Sequence, residues 1–206
     1  MEQIINIINE IYNLDFANSC KNERYLHHYF TGKIQKEYPI IYKDMTNSTL
    51  HPEWTTSGKY CKTDKEYLID ENGTFGHIDF ALGNYENPDL GIEFKHNQSW
   101  NFQSIVFDFM KLMDCKNKIK TAISFSIIYR KKELSNELTL EIINETITEL
   151  KNRLDNRLDE NRPFLFWIIE VAPQSNTNKK KSWFCNNLDN KFKEVLINKN
   201  QKQIKI

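Results

Sequence analysis

Two stretches of the chain alternate with a period of two, and each sorts its residues into an apolar and a polar face. In His77-Ile78-Asp79-Phe80-Ala81-Leu82, a strand puts Ile78, Phe80 and Leu82 on one side. His77, Asp79 and Ala81 fall on the other. In Leu90-Gly91-Ile92-Glu93-Phe94-Lys95, the residues Leu90, Ile92 and Phe94 share one face and Glu93 and Lys95 the opposite one. Such strands must bury their apolar faces, whereas an unpaired charge resists burial. If the two strands are neighbours, their charged faces coincide and Asp79, Glu93 and Lys95 converge.

The elements around these strands narrow the fold. Residues 2–14 carry Ile4, Ile5, Ile7, Ile8, Ile11 and Tyr12 at the spacing of a short amphipathic helix. A second helix, capped by Ser19, is expected to run to about Glu37, ahead of Pro39. Residues 43–65 are polar and irregular, with Pro52 and Gly58, and read as a loop or insertion. A hairpin is expected from residues 66–70, through the turn Glu71-Asn72-Gly73, into residues 75–82. The strand 90–95 follows a loop containing Pro88. Phe102, Ile105, Val106, Phe109, Leu112 and Met113 mark one face of a helix over about 100–115. Residues 121–129 read as a buried strand, 138–158 as a long charged helix, and 164–171 as a strand opened by Pro163. A last helix is expected near 189–197. This mixed order predicts an α/β fold with a central sheet covered by helices.

A chain of 206 residues suits a single domain, here with a core over about 19–130. Residues 131–206 then add a helix, a strand and a basic C-terminal extension. Formal net charge is zero, so bulk charge does not announce a nucleic-acid binder. From Lys179 onward, however, eight lysines face only Asp189 and Glu194, a local charge of +6. That tail suits phosphates, or is simply a solvated end. Cys20, Cys61, Cys115 and Cys185 form no CxxC pair. With no signal segment and no apolar run of membrane length, the expectation is a cytoplasmic protein with reduced thiols and no membrane partner. No phosphate-binding glycine loop, GxSxG elbow or HExxH is present, and the Cys and His spacings suit no structural zinc.

The trio has a clear chemistry. Two carboxylates hold a hard divalent cation through oxygen. The cation neutralises charge on a phosphodiester. A lysine beside it orients the attacking water or stabilises the transition state. A lysine between carboxylates stays charged, which favours the electrostatic role.

At these residues the sequence resembles the PD-(D/E)xK nuclease superfamily, with Asp79 on one strand and Glu93-Phe94-Lys95 on the next. The family's proline before the aspartate is Ile78 here. The resemblance covers somewhat over half the chain. It implies a restriction-endonuclease-like three-layer sandwich, a central mixed sheet flanked by helices, in core order αβββαβ. It implies a Mg²⁺-dependent endonuclease on double-stranded DNA, with Mn²⁺ able to substitute, in restriction or defence. Asp79 and Glu93 would hold the metal, with the Phe94 carbonyl as a further ligand, and Lys95 would assist the water. Dimerisation to cut two strands is common among nucleases of this size. Two alternatives stay open: a catalytically silent subunit of the same fold that binds nucleic acid or a protein partner, and a nuclease for RNA or branched DNA.

Further residues lie near this trio. Glu23 sits on the helix stripe formed by Leu26, His27, Phe30 and Ile34, where it completes the acidic cluster as catalytic residue and metal ligand, or stays solvated at the helix start. Gln103, Asp108 and Lys111 lie on the helix after Lys95, where several branches of the superfamily place a polar residue that lines the site; the alternatives are solvated flank positions for Gln103 and Asp108 or an Asp108–Lys111 pair. His77 reads as a partly buried strand histidine or an auxiliary base. His96 and Gln98 are placed for DNA contact. Lys179–Lys181, beside Trp183 and Phe184, suits a strand-tracking surface or a polar loop.

Overall fold

The computed structural model describes residues 6–7, 10–11, 22–37, 49–97, 101–129, 135–171, 180–185 and 193–194. Ser19, Gln98, Trp100 and Lys179 lie outside them, as do most of the expected first and last helices. The elements are α1 (Glu23–Glu37), β1 (Thr49–Lys62), β2 (Tyr67–Ile69), β3 (Thr74–Gly83), β4 (Pro88–Asn97), α2 (Phe102–Met113), β5 (Ala122–Tyr129), α3 (Asn136–Leu154), β6 (Phe164–Val171), β7 (Lys180–Cys185) and β8 (Lys193–Glu194).

The eight strands form one sheet in the order β2-β1-β3-β4-β5-β6-β7-β8. The β4–β5 and β5–β6 pairs are parallel and the rest antiparallel. Parallel neighbours need a crossover, and α2 and α3 supply the two. Both crossovers pack on one face, where Val106, Phe109, Leu112, Ile143, Ile147 and Leu150 meet residues such as Phe164 and Phe166. On the opposite face Leu26, Phe30 and Ile34 of α1 pack on Phe80, Ile92, Phe94 and Phe125. The protein is therefore α/β, with a mixed sheet flanked by helices. β6, β7 and β8 continue the same sheet, so the chain beyond 130 is part of its architecture.

Caps explain the helix starts. Asn101 accepts the N–H of Ser104, and Ser135 accepts that of Leu138 at 3.3 Å. Asn22 Oδ1 accepts the N–H of Tyr25 at 3.0 Å, just ahead of α1.

Three expectations need correction. Residues 49–62 are a fourteen-residue strand. Its polar run Thr55-Thr56-Ser57-Gly58 is a bulge, because the β1–β3 register shifts between Thr55 and Lys59. The bulge is held from inside: the Gly58 N–H donates to Asn117 Oδ1 at 2.8 Å, and a Cβ on Gly58 would stand 2.4 Å from Asp114 Oδ2. The expected 66–70 hairpin partner is also different. β2 pairs with β1 through Tyr60–Ile69, and β1 lies between β2 and β3. Finally, Lys193–Glu194, within the expected last helix, is extended and pairs with β7.

Candidate active site

β3 and β4 are adjacent and antiparallel, the condition on which the convergence of Asp79, Glu93 and Lys95 depended. Their ladder runs Leu82–Leu90, Ala81–Gly91, Phe80–Ile92 and then ends. The next pair in that register would set Asp79 opposite Glu93. Instead, the two strands part there. Strict alternation also breaks at Asp79: Ile78 and Ala81 pack on the α2–α3 side, whereas Phe80 and Leu82 pack against α1.

Parting leaves two β4 amides without a strand partner, and carboxylates take both. Asp79 Oδ2 accepts the N–H of Phe94 at 2.7 Å. Glu23 Oε2, reaching from α1, accepts the N–H of His96 at 3.3 Å. These bonds fix two predicted site residues at the mouth of the gap. Phe94 itself is core, its ring tilted against Phe30 at 5.3 Å.

Opposite Asp79, β1 is distorted too. Its register passes from Pro52–Phe80 to Trp54–Ile78, and Glu53 between them has φ 50°. Left-handed backbone at a non-glycine residue costs about 1–3 kcal/mol and collects at functional sites. The ligand atoms of Glu53, Asp79 and His27 lie within 4.8 Å of one another. His27 Nε2 is 3.2 Å from Asp79 Oδ2, and its ring stands edge-on to Phe80 at 5.3 Å.

Glu93 and Lys95 point to the α2 side. Lys95 Nζ is 3.0 Å from Asp108 Oδ2. Lys111 Nζ is 2.5 Å from Glu93 Oε1, 3.1 Å from Asp108 Oδ1, and donates to the His77 carbonyl at 2.7 Å. Gly76 makes room for it, since a Cβ there would stand 3.1 Å from Lys111 Cδ. Asp108 is buried and bridges two lysines, which corrects its reading as a solvated flank residue; the Asp108–Lys111 alternative is present. His77 is exposed, correcting its expected partial burial, with Nδ1 3.3 Å from the Glu53 carbonyl. His96 packs against Tyr129 at 5.0 Å. Gln103 is half-buried and none of these ion pairs involves it.

The charges are coupled. Burial raises the Glu93 carboxyl well above the ordinary range; Lys111 opposes this, and Asp79 and Asp108 add to it. Burial also raises Glu23, against the pull of Lys95. For Asp79 burial pushes up, but His27, the Phe94 N–H and Lys111 together bring it below its usual value. Burial lowers Lys95, yet Asp108, Glu23 and Glu93 outweigh it and hold the ammonium above its usual pKa. Lys111 is raised for the same reason, by Glu93 and Asp108.

Sequence reasoning missed His27 and Glu53 as members of the cluster, and named Lys111 only on the helix after Lys95 and as a partner of Asp108. His27 had a signal, one turn after Glu23 on the same helix face. Glu53 had none, since its segment read as a loop.

Elsewhere, a shallow concavity of about 920 Å³ on α3 is edged by Glu137, Glu141, Glu145 and Glu149. This ridge of like charge repels phosphate.

No family model, curated protein or solved structure matches the chain.

Proposed function

We propose that the protein is a metal-dependent nuclease that hydrolyses phosphodiester bonds of DNA, built on a restriction-endonuclease-like fold. The observation that carries this reading is the parting of β3 and β4 after Phe80–Ile92, with Asp79 and Glu93 on its two lips. Lys95 faces the same gap, next to Asp108.

The residues fit a divalent cation. Glu23, Glu53, Asp79, Glu93 and Asp108 supply five carboxylates, against Lys95, Lys111 and His27. With every carboxyl ionised, the cluster is short of two positive charges when His27 is protonated and three when it is neutral. Oxygen donors in excess suit Mg²⁺ or Mn²⁺. Such an ion, when bound, neutralises phosphate charge and makes water a better nucleophile.

The protein's own groups do the rest. Asp79 is the pivot: fixed by the Phe94 amide and ionised below its usual pKa, it is a permanent anion at the gap. Lys95 stays an ammonium, so it stabilises negative charge developing on a phosphoryl oxygen and does not serve as the base. Asp108 aims it. Glu23, raised by burial, retains a proton more readily than an exposed carboxyl and would serve as a proton donor at the gap.

A second reading has one observation in its favour. Lys111 already neutralises Glu93 from within, as expected for a silent subunit of the same fold that binds nucleic acid without cutting it.

The two readings separate in one assay. Plasmid and short duplexes are incubated with protein and Mg²⁺ or Mn²⁺, with chelator, and with Lys95→Ala. The nuclease reading expects metal-dependent cutting that Lys95→Ala lowers at least about 100-fold. Metal-independent cutting, or full activity of Lys95→Ala, rejects the mechanism; no cutting of any DNA or RNA by the wild type favours the silent subunit.

A further inference from the structure

The gap between β3 and β4 contains two seats for positive charge. One is filled by the protein itself. The Lys111 ammonium is buried among Glu93 Oε1 at 2.5 Å, the His77 carbonyl at 2.7 Å and Asp108 Oδ1 at 3.1 Å. Three acceptors use all three of its donors. A cation added at Glu93 would have to displace a lysine already held by two carboxylates and a carbonyl in a site with little water.

The other seat lies on the α1 side. His27 Nε2, a Glu53 carboxylate oxygen and an Asp79 carboxylate oxygen lie within 4.8 Å of one another, and among the described residues no lysine forms an ion pair with Glu53 or Asp79. They arrive from three elements: α1, β1 and β3. The imidazole is oriented by its edge-on contact with Phe80 at 5.3 Å, and Phe94 packs 5.9 Å away. Asp79 is anchored by the Phe94 N–H through one oxygen. Glu53 reaches the group from left-handed backbone at the point where the β1–β3 register skips it.

We infer that the divalent ion is held by His27, Glu53 and Asp79, and that Lys111 is the resident cation of Glu93. An imidazole in the donor set moves the preference from Mg²⁺ toward first-row transition ions such as Mn²⁺. This assignment rests on the nuclease reading only for what the ion is used for. It stands or falls on binding alone.

The test is Mn²⁺ titration of the full chain, reading free Mn²⁺ by electron paramagnetic resonance. Wild type is compared with Glu53→Gln, His27→Gln and Glu93→Gln, each first shown to be folded by circular dichroism. Glu53→Gln and His27→Gln are expected to weaken Mn²⁺ at least about tenfold. Glu93→Gln is expected to change it less than about threefold, and Mg²⁺ to compete only weakly. Bound Mn²⁺ should show nitrogen coupling that disappears in His27→Gln. Should His27→Gln fail to fold, Glu53, exposed on β1, still decides the question. Loss of binding in Glu93→Gln equal to that in Glu53→Gln, or no Mn²⁺ binding by folded wild type, overturns the assignment. Binding as described without cleavage leaves it standing and rejects the nuclease. Metal-dependent cleavage with Mn²⁺ affinity unaltered in Glu53→Gln does the reverse.

Discussion

Asp79 Oδ2 accepts the Phe94 N–H at 2.7 Å, one step beyond the last backbone pair of the β3–β4 ladder. A side chain thus does the work of a strand. Asp79→Ala leaves that amide without its acceptor and is expected to cost about 1–3 kcal/mol. Asp79→Asn keeps an oxygen acceptor and most of the stability. Both should lose cleavage. Urea unfolding of the two variants checks this, and equal stabilities would contradict it.

Asp108 holds two lysines apart by standing between them, 3.0 Å from Lys95 and 3.1 Å from Lys111. Asp108→Asn removes the largest influence that raises Lys95. The Lys95 pKa should fall, so the alkaline limb of the cleavage rate should move to lower pH. A pH–rate profile with an unmoved alkaline limb would show that Lys95 is held by other groups.

Lys111→Met leaves Glu93 buried without its paired cation. The expected loss is about 3–5 kcal/mol, measured by chemical denaturation. Adding Glu93→Gln removes the stranded charge and should restore a large part of that loss. If the double variant is no more stable than Lys111→Met, the Lys111–Glu93 pair is not the source of the effect.

Tyr60 is buried, and its hydroxyl donates to Asp114 Oδ2 at 3.0 Å. Burial raises its pKa above the usual 10.0, the Asp114 charge raises it further, and Asn117 and Arg157 partly oppose this. A folded-state pKa above the unfolded one gives stability that is complete below pH 10.0 and lost as pH climbs toward the folded value. Tyr60→Phe should therefore be less stable than wild type at neutral pH and lose stability less steeply above about pH 10. Melting temperatures of both proteins against pH give the comparison; parallel curves would remove Tyr60 as a cause.

The parts of the fold legible in sequence are those whose residues repeat a simple period. α2 was visible because its apolar residues track one helix face, and the buried residues 105, 106, 109, 112 and 113 lie there. β6 was visible as a nearly continuous apolar run, and β5 as a run of Ile123, Phe125, Ile127 and Ile128 interrupted only by the small residues Ser124 and Ser126, as expected of strands buried in a sheet. β1 was hidden because a bulge inserts polar residues into it, and its reasons lie far away, in Asn117 and Asp114. The Asn-Gly turn was correctly placed, but a local signal cannot say which strand the chain returns to. In the candidate site, alternation singled out Asp79, Glu93 and Lys95, although it set Ile78 on the same face as Phe80 and Leu82, which the fold does not. It could not find Glu53, whose position depends on a break in the regularity that alternation assumes. Lys111 was legible only as a partner of Asp108 on its own helix; its other partners lie on two strands that meet it only through the crossover.

The two carboxylates that close the β4 edge have a consequence for evolution and for handling. Glu23 and Asp79 supply acceptors that a neighbouring strand would otherwise provide. Trimming both to alanine would open a short stretch of strand inside the sheet, a template that another extended chain can join. Such a protein would be expected to self-associate on storage, and any loss of the proposed cleavage would then have two causes. The two oxygens that close this edge, Asp79 Oδ2 and Glu23 Oε2, belong to carboxylates of the proposed site, so drift at these positions is penalised through solubility whatever the site does.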